Sequence, residues 1–165
     1  MIPRRVAEPA GPVVSLDELR DHLLVNPGER DSQIEALEVQ AVAHLDGYRG
    51  ILGRCILPQQ WVVDYNEAGT FRLPLPDVSA ATAVDEGGAS VEISLCSDAL
   101  GSVVTIPGPC TVTMTCAMPP ETLDAVKGAI CIWVQKRFDG LTGPEGKSFD
   151  DAFNDQIAAL RWTRV

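Results

Sequence analysis

The stretch Gly47-Tyr48-Arg49-Gly50-Ile51-Leu52-Gly53-Arg54, continuing as Cys55-Ile56-Leu57-Pro58-Gln59-Gln60-Trp61, marks the point where the chain changes its periodicity. Upstream, Ile34, Leu37, Ala41, Leu45, Tyr48 and Leu52 recur at spacings of three and four. This predicts an amphipathic helix over 32–52, roughly five turns long. Ser32-Gln33-Ile34-Glu35 reads as its capping box. Gly47, Gly50 and Gly53 weaken its end, since a Gly costs about 1 kcal/mol against Ala inside a helix. Downstream, Trp61-Val62-Val63-Asp64-Tyr65 reads as a strand.

Working outward toward the start, Ser15-Leu16-Asp17-Glu18 is a second capping box. Leu16, Leu19, Leu23 and Leu24 give the short helix behind it, over 15–25, one apolar face. Asn26-Pro27-Gly28 ends that helix. Toward the other end, residues 56–116 read as about six short antiparallel strands in a small sheet or sandwich. Phe71-Arg72-Leu73 is closed by Pro74 and Pro76. Segments 81–84 and 91–95 flank Asp85-Glu86-Gly87-Gly88 as a hairpin, and 102–106 and 111–115 flank Pro107-Gly108-Pro109 in the same way. Thr111, Thr113 and Thr115 alternate with Val112, Met114 and Cys116, which makes one face apolar.

Helix returns at Pro119-Pro120, with Pro120 suited to the first helical position. Leu123, Val126, Ile130, Trp133, Val134 and Phe138 form its stripe over 120–139. Residues 140–147 read as a flexible loop. Ser148 caps a last helix over 149–160, and 161–165 form a tail. The expected class is α+β: a helical core of two N-terminal helices, a return helix and a short C-terminal helix, with a small antiparallel β region inserted.

The 165 residues are 45% apolar, enough for one domain with a sizeable core. The net charge of −10 argues against a general nucleic-acid binder, because neutralising phosphates takes Lys and Arg. No apolar run approaches the ~18–20 residues of a membrane-spanning helix, and residues 7–11 hold Glu8 and Pro9 where a signal peptide is apolar. A cytoplasmic origin is expected. The odd set of Cys55, Cys96, Cys110, Cys116 and Cys131, with no Cys-x-x-Cys, fits small buried thiols in such a compartment.

Catalytic and cofactor patterns are sparse. Gly146-Lys147-Ser148 looks like the end of a phosphate-binding loop, but the first Gly of that motif is Leu141 here and a strand should precede it. His22 and His44 have no Cys, His or carboxylate at helical metal-ligand spacing. Most carboxylates fall in first turns of helices, where the helix dipole favours them; Asp64 and Asp98 stay unassigned. No catalytic, cofactor or metal residues are assigned. Arg161-Trp162-Thr163-Arg164-Val165 stands out as apolar and basic in an acidic chain. Trp and Arg are enriched at interface hot spots, so the segment reads either as a partner anchor or as an end that folds Trp162 back onto the domain.

Taken together, the Gly47–Arg54 junction and the strand with Gln59-Gln60-Trp61 resemble the Gly-Tyr-Thr-Gly-Arg junction and Gln-x-Trp strand of phage head–tail connector (adaptor) proteins, found in long-tailed phages and gene transfer agents. Arg49 stands where that family has Thr. Phe71-Arg72-Leu73-Pro74-Leu75-Pro76 resembles the family's turn into its β region, and Pro119 to Lys127 resembles the opening of its return helix. The resemblance implies a structural subunit without enzymatic chemistry, located in the neck of a virion or phage-like particle. It implies a dodecameric homo-oligomeric ring under the portal protein, with a head-closure (stopper) or tail component below. DNA would pass through the channel without specific binding, and Arg161, Trp162, Thr163, Arg164 and Val165 would bind the portal. Two other readings stay open: another neck or tail-completion protein of the same particle, and a small α+β enzyme or ligand-binding domain.

Overall fold

Helix α1 (Leu16–Leu23) forms where its capping box predicts: the Glu18 N–H donates to Ser15 Oγ at 3.2 Å, and the Ser15 N–H donates to Glu18 Oε2 at 2.9 Å. The computed structural model describes residues 2–162. Helix α2 (Asp31–Leu45) differs from expectation at both ends. It starts one residue before the box at Ser32, which therefore lies inside the first turn and caps nothing. Asp31 takes over, its carboxylate accepting from Arg20 Nε at 2.9 Å and from the Gly28 N–H at 3.1 Å. The carboxylate thereby fixes the turn between the two helices.

The other end stops at Leu45, seven residues short of the expected 52. Asp46 is extended, Gly47 has φ 78°, and the chain doubles back so that Ile51 and Leu52 donate to the carbonyls of His44 and Leu45. Gly50 sits so close to the carbonyls of Leu45 and Asp46 that no Cβ fits there. Leu52 is nevertheless fully buried in the helical core. Its spacing from Leu45 reflects a shared core, reached by a folded-back loop and not by another helical turn, while Tyr48 packs against the sandwich core.

Eight strands follow or flank: β1 (Arg4–Ala7), β2 (Gln59–Tyr65), β3 (Gly69–Arg72), β4 (Val78–Val84), β5 (Ser90–Val91), β6 (Ser94–Asp98), β7 (Gly101–Ile106) and β8 (Cys110–Cys116). They form two antiparallel sheets with orders β1-β2-β8-β4-β5 and β3-β7-β6. β2 runs against β8 from Gln59↔Cys116 to Tyr65↔Cys110. The predicted alternation in β8 is observed: Cys110, Val112, Met114 and Cys116 are buried while the threonines between them are half-buried. The hairpin expected across Pro107-Gly108-Pro109 does not form. β7 pairs with β3 and β6, and β8 pairs with β2 and β4, so this turn carries the chain between sheets. Two prolines that fix φ and lack an N–H suit such a crossing better than a tight hairpin. The Asp85–Gly88 hairpin does form, but only β5 belongs to it; residues 94–98 cross to the second sheet. β1, on the edge of the larger sheet, has no counterpart in the sequence reading.

Helix α3 (Pro120–Phe138) matches its prediction, with Pro120 in the first turn and Val126, Ala129, Ile130, Trp133 and Val134 buried. Helix α4 (Gly143–Ala158) begins six residues before the expected 149. Pro144 occupies its first turn, where the lost N–H has no helical partner anyway. Gly146 is buried against the Leu141 carbonyl, and Ser148 lies within the helix instead of capping it. The glycines and proline that suggested a flexible loop over 140–147 are thus mostly helix-start chemistry.

One core lies among the helices and a second inside the sandwich, so helix and sheet are segregated and the fold is α+β. The Met118 N–H donating to the Cys55 carbonyl at 2.7 Å joins the two chain crossings between them. The Gly50 contacts give a direct test. Gly50→Ala should cost roughly 2 kcal/mol or more, whereas Gly108→Ala, with open space around it, should stay within about 0.5 kcal/mol. Urea unfolding of the two variants measures both.

Candidate functional site

The junction from Asp46 to Trp61 holds a network of enclosed polar groups. Asp46, the C-cap of α2, is almost wholly enclosed, its side chain 5% exposed. Its Oδ1 accepts from the Ile56 N–H at 2.8 Å, and both oxygens lie 2.7 Å from Gln59 Nε2. Gln59 Oε1 accepts from the Trp61 indole N–H at 3.2 Å. Arg5 of β1 lies 5.8 Å over the Trp61 ring and 3.4 Å from Asp46. Burial pushes the Asp46 carboxyl up from its ordinary range, against the hydrogen bonds from Ile56 and Gln59 and the charge of Arg5.

A cleft of about 870 Å³ opens beside this network, between residues 3–14 and α2. Val13, Leu16, Val42 and Trp61 line it, and Val39 on its rim is 63% exposed. Its two inner carboxylates are committed to structure. Asp46 is held as above, and buried Glu38 accepts from the Val13 and Val14 N–H groups at 2.8 and 3.4 Å. Glu38 thereby fastens the chain before α1 onto α2.

On its other side the junction meets the chain's last described residues. Arg54 donates to Asp77 Oδ2 from Nε at 2.8 Å and, at 3.4 Å, to the Leu160 carbonyl at the end of α4. The Trp162 N–H donates to the Leu52 carbonyl at 2.7 Å. The indole lies against Gly101, where a Cβ would come within 2.9 Å of Cζ2. Of the predicted portal-binding residues, Arg161 is exposed and Trp162 is half-buried on the domain. Thr163, Arg164 and Val165 lie outside the described residues.

The two carboxylates left unassigned by the sequence have partners. Asp98 takes a bidentate contact from Arg72 at 2.8 and 2.9 Å, which holds its carboxyl at about 2. Asp64 accepts from the Thr111 hydroxyl at 2.8 Å, with Arg4 3.4 Å away. His22 bonds Gln135 at 3.0 Å, and His44 stacks on Phe153. Gly146, Lys147 and Ser148 all lie within α4. Among the described residues no group of His, Cys, Asp and Glu could hold a metal ion, and no helix is long and apolar enough to cross a membrane.

Sequence reasoning missed Asp46 and Glu38. A signal for Asp46 existed: a carboxylate at a helix C-terminus opposes the helix dipole and needs local donors to hold it there. Glu38 offered a subtler one, since it lies four residues from both Ile34 and Val42 on α2.

No protein-family model matches the chain, and no curated protein matches it in sequence. Its fold is nonetheless shared with chains of solved structures. A chain from the neck of an empty gene transfer agent particle, computed with C6 symmetry, superposes with a TM-score of 0.69 at 17% identity. The match covers 100% of this chain and 97% of that one. A chain from the virion of a native gene transfer agent particle matches to the same extent, again with a TM-score of 0.69 and 17% identity.

Asp46→Ala should expose how much the junction depends on its carboxylate. The loss leaves the Ile56 N–H and the Gln59 amide unpaired while buried, which should cost about 2–4 kcal/mol. Chemical denaturation monitored through tryptophan fluorescence reads this.

Proposed function

We propose that the chain is a head–tail connector subunit: one member of a dodecameric ring that sits under the portal, extends the DNA channel and joins capsid to neck or tail. The observation that carries the proposal is the full-length likeness to a neck chain of a gene transfer agent particle, 100% of one chain over 97% of the other. The junction and turn motifs of the sequence point the same way. The sixfold symmetry applied to that neck is a subgroup of twelvefold symmetry.

Charge supports the channel role. A ring of subunits each carrying −10 repels phosphate, so DNA slides past without specific binding. Portal binding is assigned to Arg161, Trp162, Thr163, Arg164 and Val165, with a division of labour. Trp162, docked on Leu52 and Gly101, is the root of the segment, and exposed Arg161 with residues 163–165 is the part offered to the portal.

Two variants test this against purified portal rings of the same particle. Removing residues 163–165 should leave the urea midpoint unchanged and reduce capture by portal at least tenfold. Trp162→Ala should lower stability by about 2–3 kcal/mol through lost indole packing. A chain without 163–165 that binds portal as well as the full chain would remove the anchor from the account.

A further inference from the structure

Of the five cysteines, all with free thiols, two meet in the interior. Cys55 Sγ and Cys116 Sγ lie 3.0 Å apart, with the residues 1% and 0% exposed. A disulfide bond is about 2.05 Å long, so closing the pair requires about 1 Å of movement. Neither residue belongs to the portal-binding segment, and neither position is free to drift. Cys116 ends β8, paired with Gln59 of β2 and Val78 of β4, and the Cys55 carbonyl accepts from the Met118 N–H at 2.7 Å.

We propose that Cys55 and Cys116 are an oxidation site: a thiol pair that a small peroxide converts to an intramolecular disulfide in the folded protein. The thiolate of one cysteine attacks a peroxide oxygen, the O–O bond breaks to leave a sulfenic acid on sulfur, and the departing hydroxide takes up the proton the thiol had released and becomes water. The second sulfur attacks the sulfenic sulfur, and the hydroxyl departs as water with the proton of the second thiol. Two thiols lose two electrons and two protons, and one hydrogen peroxide becomes two waters. Contact with Cys116 and burial push the Cys55 thiol well above its ordinary range, so the thiolate is scarce and the reaction is slow. Once the sulfenic acid forms, the partner sulfur is already against it. Exposed Cys96 has no such neighbour among the described cysteines.

The two residues are 61 positions apart and bracket nearly the whole sandwich, from the junction to the end of β8. A bond between them closes that insertion at its base and limits the unfolded chain. The inference does not depend on the connector reading.

The test treats the folded full chain with hydrogen peroxide, blocks remaining thiols with N-ethylmaleimide and maps the peptides by mass spectrometry. The expected result is a peptide pair joined through Cys55 and Cys116, lighter by two hydrogens, present in Cys110→Ala and absent in Cys116→Ala. The oxidised protein should unfold roughly 5–15 °C higher, and dithiothreitol should reverse the shift. Because the wild-type chain alone yields the peptide map and the melting shift, a variant that fails to fold leaves the test intact. Folded protein that oxidises only at other cysteines, or that keeps Cys55 and Cys116 as separate thiols, would overturn the proposal.

Discussion

The carboxylate of Asp46 is the constraint on which the junction of helix and sheet depends. It ends α2, receives the Ile56 N–H as the chain leaves the folded-back loop, and holds the Gln59 amide at the start of β2. Gln59 passes the connection to the Trp61 indole, and Arg5 of β1 closes the circuit by reaching both Trp61 and Asp46. Four side chains thus fix the angle at which the larger sheet leaves the helical core. A buried carboxylate is tolerated only when its lone pairs are used, and this one meets backbone, amide and guanidinium donors.

The same junction explains why the far end of the chain lies where it does. Arg54 holds the end of α4 through the Leu160 carbonyl, and Leu52 offers its own carbonyl to Trp162. The helical core, the base of the sandwich and the root of the tail therefore meet within ten residues of sequence, 46–55.

Much of this architecture was legible in the residues, and the failures have physical causes. α1, with its capping box, and α3, with Pro120 in its first turn, were read to within two residues, although Leu24, counted in the α1 stripe, is its exposed C-cap. α2 was overextended because Leu52 keeps helical spacing while its chain is a loop, and core burial looks the same in sequence either way. α4 was shortened because Gly143, Pro144 and Gly146 resemble loop composition, although Pro suits a first turn and Gly146 is needed for close packing. Apart from β1, most strand positions were recovered, but of the two hairpins expected only the one across Asp85–Gly88 forms. Pro107 and Pro109 flank a crossing between sheets, and pairing between distant strands leaves no local mark. Around the junction, Arg161 and Trp162 stood out by composition, whereas Asp46 and Glu38 were hidden among many surface acids.

The central claim is a place in a particle, and a cryo-EM reconstruction of the purified particle that produces this chain tests it most directly. The account predicts twelve copies in a ring between portal and tail, with the sandwich and helices arranged as described and residues 161–165 against the portal. Density for the chain elsewhere in the particle, or a purified particle that lacks the chain altogether, would contradict it.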